Sequence, residues 1–168
     1  MIIARKRVPG LSDAALSRFV RRAGKAAGLA GTVNVLLTNS IELRSLNSRF
    51  RNKDKSTDVL SFPVPAELRP KFAGELAISV DIAARNAREL GHSAANEIKI
   101  LTLHGLLHLA GYDHEQDRGE MAQTELRLRR AFRLPGGLIE RAASAPAGRS
   151  RPLARPRKRE EAGRMKVR

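Results

Sequence analysis

Apolar positions recur with two different periods along this chain, and the switches between them divide it into elements. Ile2 to Val8 reads as a short strand closed by Pro9-Gly10. Ser12 is a good helix N-cap, and Leu16, Phe19, Val20, Ala23 and Ala27 then recur at helical spacing until Gly28 and Gly31 stop the run. Thr32 to Thr38 is rich in β-branched and aliphatic residues and predicts a second strand. Ser40 can cap a second helix with an apolar stripe of Ile41, Leu43, Leu46 and Phe50. The polar turn Asn52 to Asp58 leads into a third strand, Val59 to Pro63, whose proline favours a sheet edge or the strand's end. Pro65 and Pro70 bracket a loop, and Gly74 to Val80 alternates well enough for a fourth strand. Asp81 caps a helix that ends at Gly91, and Ser93 opens a longer one that ends at Gly111. A last amphipathic helix runs from about Arg118 to Phe132.

Strands come early and helices dominate late, which predicts an α+β fold: a small four-stranded mixed sheet packed with about five helices. After Pro135-Gly136-Gly137 the pattern decays into Ala, Pro, Gly, Ser and Arg. The chain therefore divides into a folded body, 1–137, and a basic tail, 138–168, expected to be disordered. Its 168 residues suit one ordinary domain. Aromatic residues make up only 4%, so the core must be mainly aliphatic. The start, Met1 to Arg7, carries charges where a signal peptide needs an apolar run, and the most apolar stretch, Ile98 to Ala110, is too short to span a bilayer. A soluble, cytoplasmic protein with no membrane partner is expected.

Charge and cysteine narrow the chemistry. The net charge is +15, of which the segment from Arg141 onward contributes +8 with ten basic and two acidic residues. A moderately basic body with a strongly basic extension points toward a polyanion, nucleic acid first. Cysteine is absent, which removes disulfides, thiolate nucleophiles, zinc ribbons and iron–sulfur clusters together. Any metal must be held by histidine or carboxylate.

Three of the four histidines lie in one segment, His104-Gly-Leu-Leu-His108-Leu-Ala-Gly111-Tyr-Asp-His114. Residues four apart on a helix share a face, so His104 and His108 can converge on one ion. Gly111 allows the left-handed turn that ends a helix, and His114 can then return to the same ion from the side. Three neutral imidazoles leave the fourth position of a tetrahedral zinc open, the catalytic rather than the structural arrangement. The same ligands also suit nickel, copper or iron. The spacing is that of the metzincin proteases, whose second residue is the Glu that acts as general base. Here that residue is Gly105, so a peptidase mechanism lacks its base unless Glu115 or Asp113 replaces it. Asp113 can instead orient a histidine from behind, or simply serve the turn beside Gly111. His92, at a helix junction, is expected to be solvated.

The histidine segment resembles the signature of the YbeY family of bacterial endoribonucleases. Leu46-Asn-Ser-Arg-Phe-Arg51-Asn-Lys-Asp-Lys-Ser-Thr-Asp-Val-Leu-Ser-Phe-Pro63 is similar to that family's LNxxYRxxDxPTDVLSFP stretch, and Gly74-Glu-Leu-Ala-Ile-Ser79 to its GD-type strand. The resemblance covers Ile2 to about Phe132. Departures are mild: Phe50 stands for Tyr, Ser56 for Pro and Glu75 for Asp. The resemblance implies a zincin-like metal helix and one zinc ion held by His104, His108 and His114. It implies catalytic roles for Arg51 and His114, and single-strand-preferring RNase activity in small-subunit rRNA 3′-end maturation and ribosome quality control. Ribosomal particles, ribosomal proteins and a ribosome-assembly GTPase are the partners it suggests. Two other functions stay open on the residues alone. One is a metallohydrolase of peptide or amide bonds, and the other a non-enzymatic ribosome-binding factor with a structural metal. Lys53, Lys55, Arg69 and Lys71 can line an RNA path, or merely solvate their loops. The tail, with Arg149 to Arg159 at its centre, is expected to raise affinity for ribosomal particles without touching the chemistry.

Overall fold

The computed structural model of the chain describes residues 1–136, save positions 70 and 115. The basic tail, Pro70 and the base candidate Glu115 lie outside the described residues. Four strands, β1 (Ile2–Ala4), β2 (Thr32–Thr38), β3 (Val59–Pro63) and β4 (Phe72–Ser79), form one sheet in the order β1-β2-β4-β3. β1, β2 and β4 run parallel, and β3 pairs antiparallel with β4, with Leu60 opposite Ala77. Five α-helices complete the described part: α1 (Asp13–Ala26), α2 (Ser40–Arg51), α3 (Val80–Glu89), α4 (Ala94–Leu109) and α5 (Glu120–Ala131). The α+β architecture with a four-stranded mixed sheet is thus as the sequence predicts, and β3 sits on an edge, where its Pro63 costs no ladder bond.

α4 is the centre of the molecule. It packs against β3 and β4 on one side and against α1, α3 and α5 on the others. Of its 16 residues, 12 are buried. A helix enclosed on every side needs apolar residues all round, which is why Ile98, Ile100, Leu101, Leu103, Leu106 and Leu107 show no single stripe. Val35 and Leu37 of β2 and Leu76 and Ile78 of β4 join this main core, together with Leu16, Val20 and Ala23 of α1. Among the described residues, the opposite face of the sheet is covered by α2, through a small cluster of Leu43, Leu60 and Ala77.

Several local expectations are corrected. The first strand stops at Ala4 and does not reach Val8: its last pairing is with Leu37, β2 ends one residue later, and Arg5 and Lys6 both donate their N–H to the Leu37 carbonyl as the chain turns away. Val8 instead bridges to Leu11. Asn39 and not Ser40 caps α2, its side chain accepting from Glu42 N at 2.8 Å. Ser79 rather than Asp81 caps α3. Asp81 accepts from Ser40 N and from the Lys6 ammonium, tying the starts of α2 and α3 together. On α2 only Leu43 of the expected stripe is fully buried; Ile41 is 80% and Phe50 58% exposed, because among the described residues no second element packs beside this helix on its face of the sheet. His92 is not solvated. Its side chain is 9% exposed and its Nε2 lies 2.7 Å from the fully buried Glu97 carboxylate.

Candidate metal centre and its cleft

His104 and His108 stand one turn apart near the C-terminal end of α4, and their Nε2 atoms face each other at 3.1 Å. α4 ends where Gly111 takes φ +97°, a conformation costly for any residue with a Cβ. Gly111 N–H donates to the His108 carbonyl and Tyr112 N–H to that of Leu107, closing the helix end. The reversed chain brings His114 back, its ring centroid 5.4 Å from that of His104 and 5.2 Å from that of His108. One nitrogen from each of the three lies within 4.8 Å of the others. Zinc–nitrogen bonds of about 2.0–2.1 Å in a tetrahedral set require N···N separations of roughly 3.3 Å, so this donor set fits such an ion with one position left open.

The rings are held from behind. A carbonyl can only accept, so His108 Nδ1–H donates to the Tyr112 carbonyl at 3.0 Å, leaving Nε2 with its lone pair toward the centre. His104 Nδ1 lies 3.0 Å from Oε2 of Glu125, on α5. Burial depresses the His108 pKa first, and neighbouring His104 and His114 add to it; the Tyr112 carbonyl and Asp113 act in the opposite sense. The net effect keeps the ring neutral, the form that ligates a metal. Neither Tyr112 nor Glu125 is singled out by sequence. Tyr112 acts through its main chain, which leaves no signal in side-chain identity. Glu125 did leave one: it is a carboxylate in the buried row Met121, Glu125, Leu128 of an otherwise polar helix.

Gly105 has a packing role. A Cβ at this position would lie 2.7 Å from Leu76 Cδ2 and 3.2 Å from Ser61 Oγ. The helix therefore presses its bare backbone onto β3 and β4, and Ser61 Oγ–H reaches the Gly105 carbonyl at 3.4 Å. The position that bears the general base in a metzincin is here filled by the sheet.

The histidines open onto a cleft of about 450 Å³. Its other wall is the end of α2 and the start of β3, with Arg51, Thr57, Asp58, Val59, Ser61 and Pro63. Arg51 is the last residue of α2 and not part of the loop beyond it; Asn52 caps the helix in the left-handed conformation, φ 54°. The loop after it is pinned. Buried Asn47 donates its side-chain N–H to the Lys55 carbonyl at 2.7 Å, and the Arg44 guanidinium grips Asp54 through two bonds of 2.6 and 2.7 Å. That double contact draws the Asp54 carboxyl below its usual range, chiefly through the hydrogen bond itself. Thr57 and Asp58 close the turn, Asp58 accepting from Val59 N–H at 3.0 Å. All four sequence-predicted site residues thus meet in one cleft, whereas Lys53, Lys55, Arg69 and Lys71 are not among its lining residues. Asn47, which fixes the loop, is given no role by the sequence, although it stands in the Leu46–Pro63 stretch that carries the family resemblance.

Fold and cleft together define an α+β protein with a three-histidine centre able to hold a metal ion, and an arginine across from it. The chain belongs to the endoribonuclease YbeY family, whose model matches residues 4–133. It is 57% identical to the endoribonuclease YbeY of Koribacter versatilis over 141 residues, 84% of this chain and 91% of that protein. It is 49% identical to the endoribonuclease YbeY of Solibacter usitatus over 140 residues, 83% of this chain and 92% of that protein. It also superposes with TM-score 0.54 and 29% identity on the solution structure of a Thermotoga maritima protein, covering 88% of this chain and 99% of that one. Among the described residues no helix is long and apolar enough to cross a membrane.

Proposed function

We propose that this chain is a metal-dependent endoribonuclease that cleaves single-stranded rRNA precursor, acting in 3′-end maturation of small-subunit rRNA and in ribosome quality control. The observation that carries this reading is the meeting of His104, His108, His114 and Arg51 in one cleft. We take the metal as one zinc ion held by the three imidazoles. Bound there, it supplies Lewis acidity, polarising a phosphoryl oxygen and easing the deprotonation of water.

The residues of the chain do the rest. Arg51 projects from an anchored helix end, where its planar fork can pair with two non-bridging phosphate oxygens and offset the charge that grows on them during cleavage. His104 and His108 are held in ring orientation by Glu125 and the Tyr112 carbonyl, which reduces the reorganisation that binding of an ion requires. His114 is the exposed member of the triad and the one nearest arriving substrate. Phosphate contact by basic side chains dominates affinity, and binding is steeply salt-dependent. The basic segment 138–168 adds to that affinity for ribosomal particles without affecting the chemistry. Hydrolysis of peptide or amide bonds is disfavoured because β3 and β4 occupy the place of a base at position 105.

The test is cleavage of a single-stranded fragment from the 3′ end of precursor small-subunit rRNA by zinc-loaded wild type and His114→Ala. Cleavage is expected from the wild type alone. A cyclic phosphate at the new terminus marks attack by the RNA's own 2′-hydroxyl, and a linear one marks attack by water. No cleavage by either protein, or equal cleavage by both, sinks the reading.

A further inference from the structure

Behind the cleft, away from any substrate, α5 buries two charged side chains. Glu125 and Arg129 are each 1% exposed and stand one turn apart on a single helix face. That face is otherwise apolar, with Met121 and Leu128 buried beside them. Dry charges are costly unless compensated, so their presence in this row calls for a reason other than packing. Glu125 Oε2 lies 3.0 Å from His104 Nδ1, across 21 residues of sequence.

The consequence is a choice of tautomer. A neutral imidazole carries one N–H, on Nδ1 or on Nε2. His104 Nε2 faces His108 Nε2 at 3.1 Å, and the His108 nitrogen already presents a lone pair there because its Nδ1–H is committed to the Tyr112 carbonyl. A proton on His104 Nε2 would bond to that lone pair, and both rings would be lost as ligands. A proton on Nδ1 leaves both lone pairs aimed at the centre. The two histidines differ in how this is enforced: His108 by main chain, which no substitution alters, and His104 by a side chain. Burial of Glu125 sharpens the effect, since no water competes for the imidazole N–H.

We propose that Glu125 is a positioning residue of the metal centre, holding His104 with its proton on Nδ1 and its Nε2 lone pair directed at the ion. This rests on the assignment of His104 as a ligand. The test uses the full chain, stripped of metal and then titrated with Zn2+ alone. In the metal-free wild type, nitrogen-15 spectra of the histidine rings are expected to show His104 protonated on Nδ1. Glu125→Gln keeps the shape but offers an amide that can donate as well as accept. It should populate the other tautomer and weaken Zn2+ binding by about 10- to 100-fold in a chelator competition. With Co2+ as substitute, its visible absorption should shift. In a His104→Ala background the same substitution should leave Zn2+ affinity unchanged, because the ring it acts through is gone.

An equal loss in both backgrounds would make Glu125 merely structural and overturn the proposal. So would unchanged affinity and tautomer in Glu125→Gln. Should that variant fail to fold, the wild-type spectrum still decides, since a proton found on His104 Nε2 overturns the idea outright. If His104→Ala itself leaves Zn2+ affinity untouched, the ligand assignment has failed and this proposal falls with it. A silent Glu125 beside an essential His104 overturns this proposal alone.

Discussion

The two helices that build the cleft are opposites. α4 is enclosed by both the sheet and three other helices, and it carries two imidazoles whose Nδ1 atoms are each committed to a buried or half-buried oxygen. α2 lies on the surface with only Leu43 and Asn47 buried, and it delivers Arg51 from an exposed last turn. On the proposed function, the difference follows from what each would bind. An ion needs donors fixed to a few tenths of an ångström, which packing in a dense core provides. A phosphate on a flexible strand needs a cation that can be approached from solvent, and a long side chain on an anchored helix end provides that. Rigidity is concentrated on the metal side and access on the substrate side.

That contrast can be broken from either helix. The largest effect expected is from His108→Ala, which removes a ligand from the rigid wall. Both Zn2+ binding and cleavage should disappear while the far-ultraviolet dichroism stays native; a mutant that still binds Zn2+ as tightly as wild type would remove His108 from the ligand set. Arg51→Ala should lower kcat by on the order of 10³-fold, as for arginines that stabilise phosphoryl transfer, yet leave Zn2+ affinity within error. Parallel loss of metal would show the two walls to be coupled. In stability, Leu107→Ala inside α4 should cost about 2–5 kcal/mol in urea unfolding, against less than about 0.5 kcal/mol for Ile41→Ala on α2. Similar costs would contradict the burial difference. Gly105→Ala has the smallest expected net effect of the α4 substitutions. Alanine gains up to about 1 kcal/mol of helix propensity, but its Cβ would lie 2.7 Å from Cδ2 of buried Leu76, and the repacking this forces costs about 1–3 kcal/mol. A net destabilisation is expected, and a rise in melting temperature would show that α4 does not rest on the sheet so closely.

What the sequence discloses about this molecule depends on distance along the chain. His104, His108, Gly111 and His114 form a site within one helix end and its turn, so their spacing alone reveals the convergence. Arg51 lies more than fifty residues away on another helix, and only the likeness of Leu46 to Pro63 to a known stretch marks it. Asn47, Glu125 and the Tyr112 carbonyl act through long-range or main-chain bonds, which periodicity does not encode. His92 illustrates the same limit in reverse. Beside Gly91 and Ser93 it reads as a surface residue, and only the fold brings Glu97 against it. Element types were legible because patterns are local; the shortened β1 was not, because its length is set by where β2 stops.

Tyr112 has one more consequence. The chain contains a single tyrosine and no tryptophan. That tyrosine lines the cleft, and its own carbonyl receives the His108 N–H. With excitation at wavelengths that its five phenylalanines do not absorb, the protein's intrinsic fluorescence therefore originates from one ring in the turn that carries His114. Metal uptake and substrate arrival can be followed optically at the centre itself, with no label introduced and no background from the remainder of the chain.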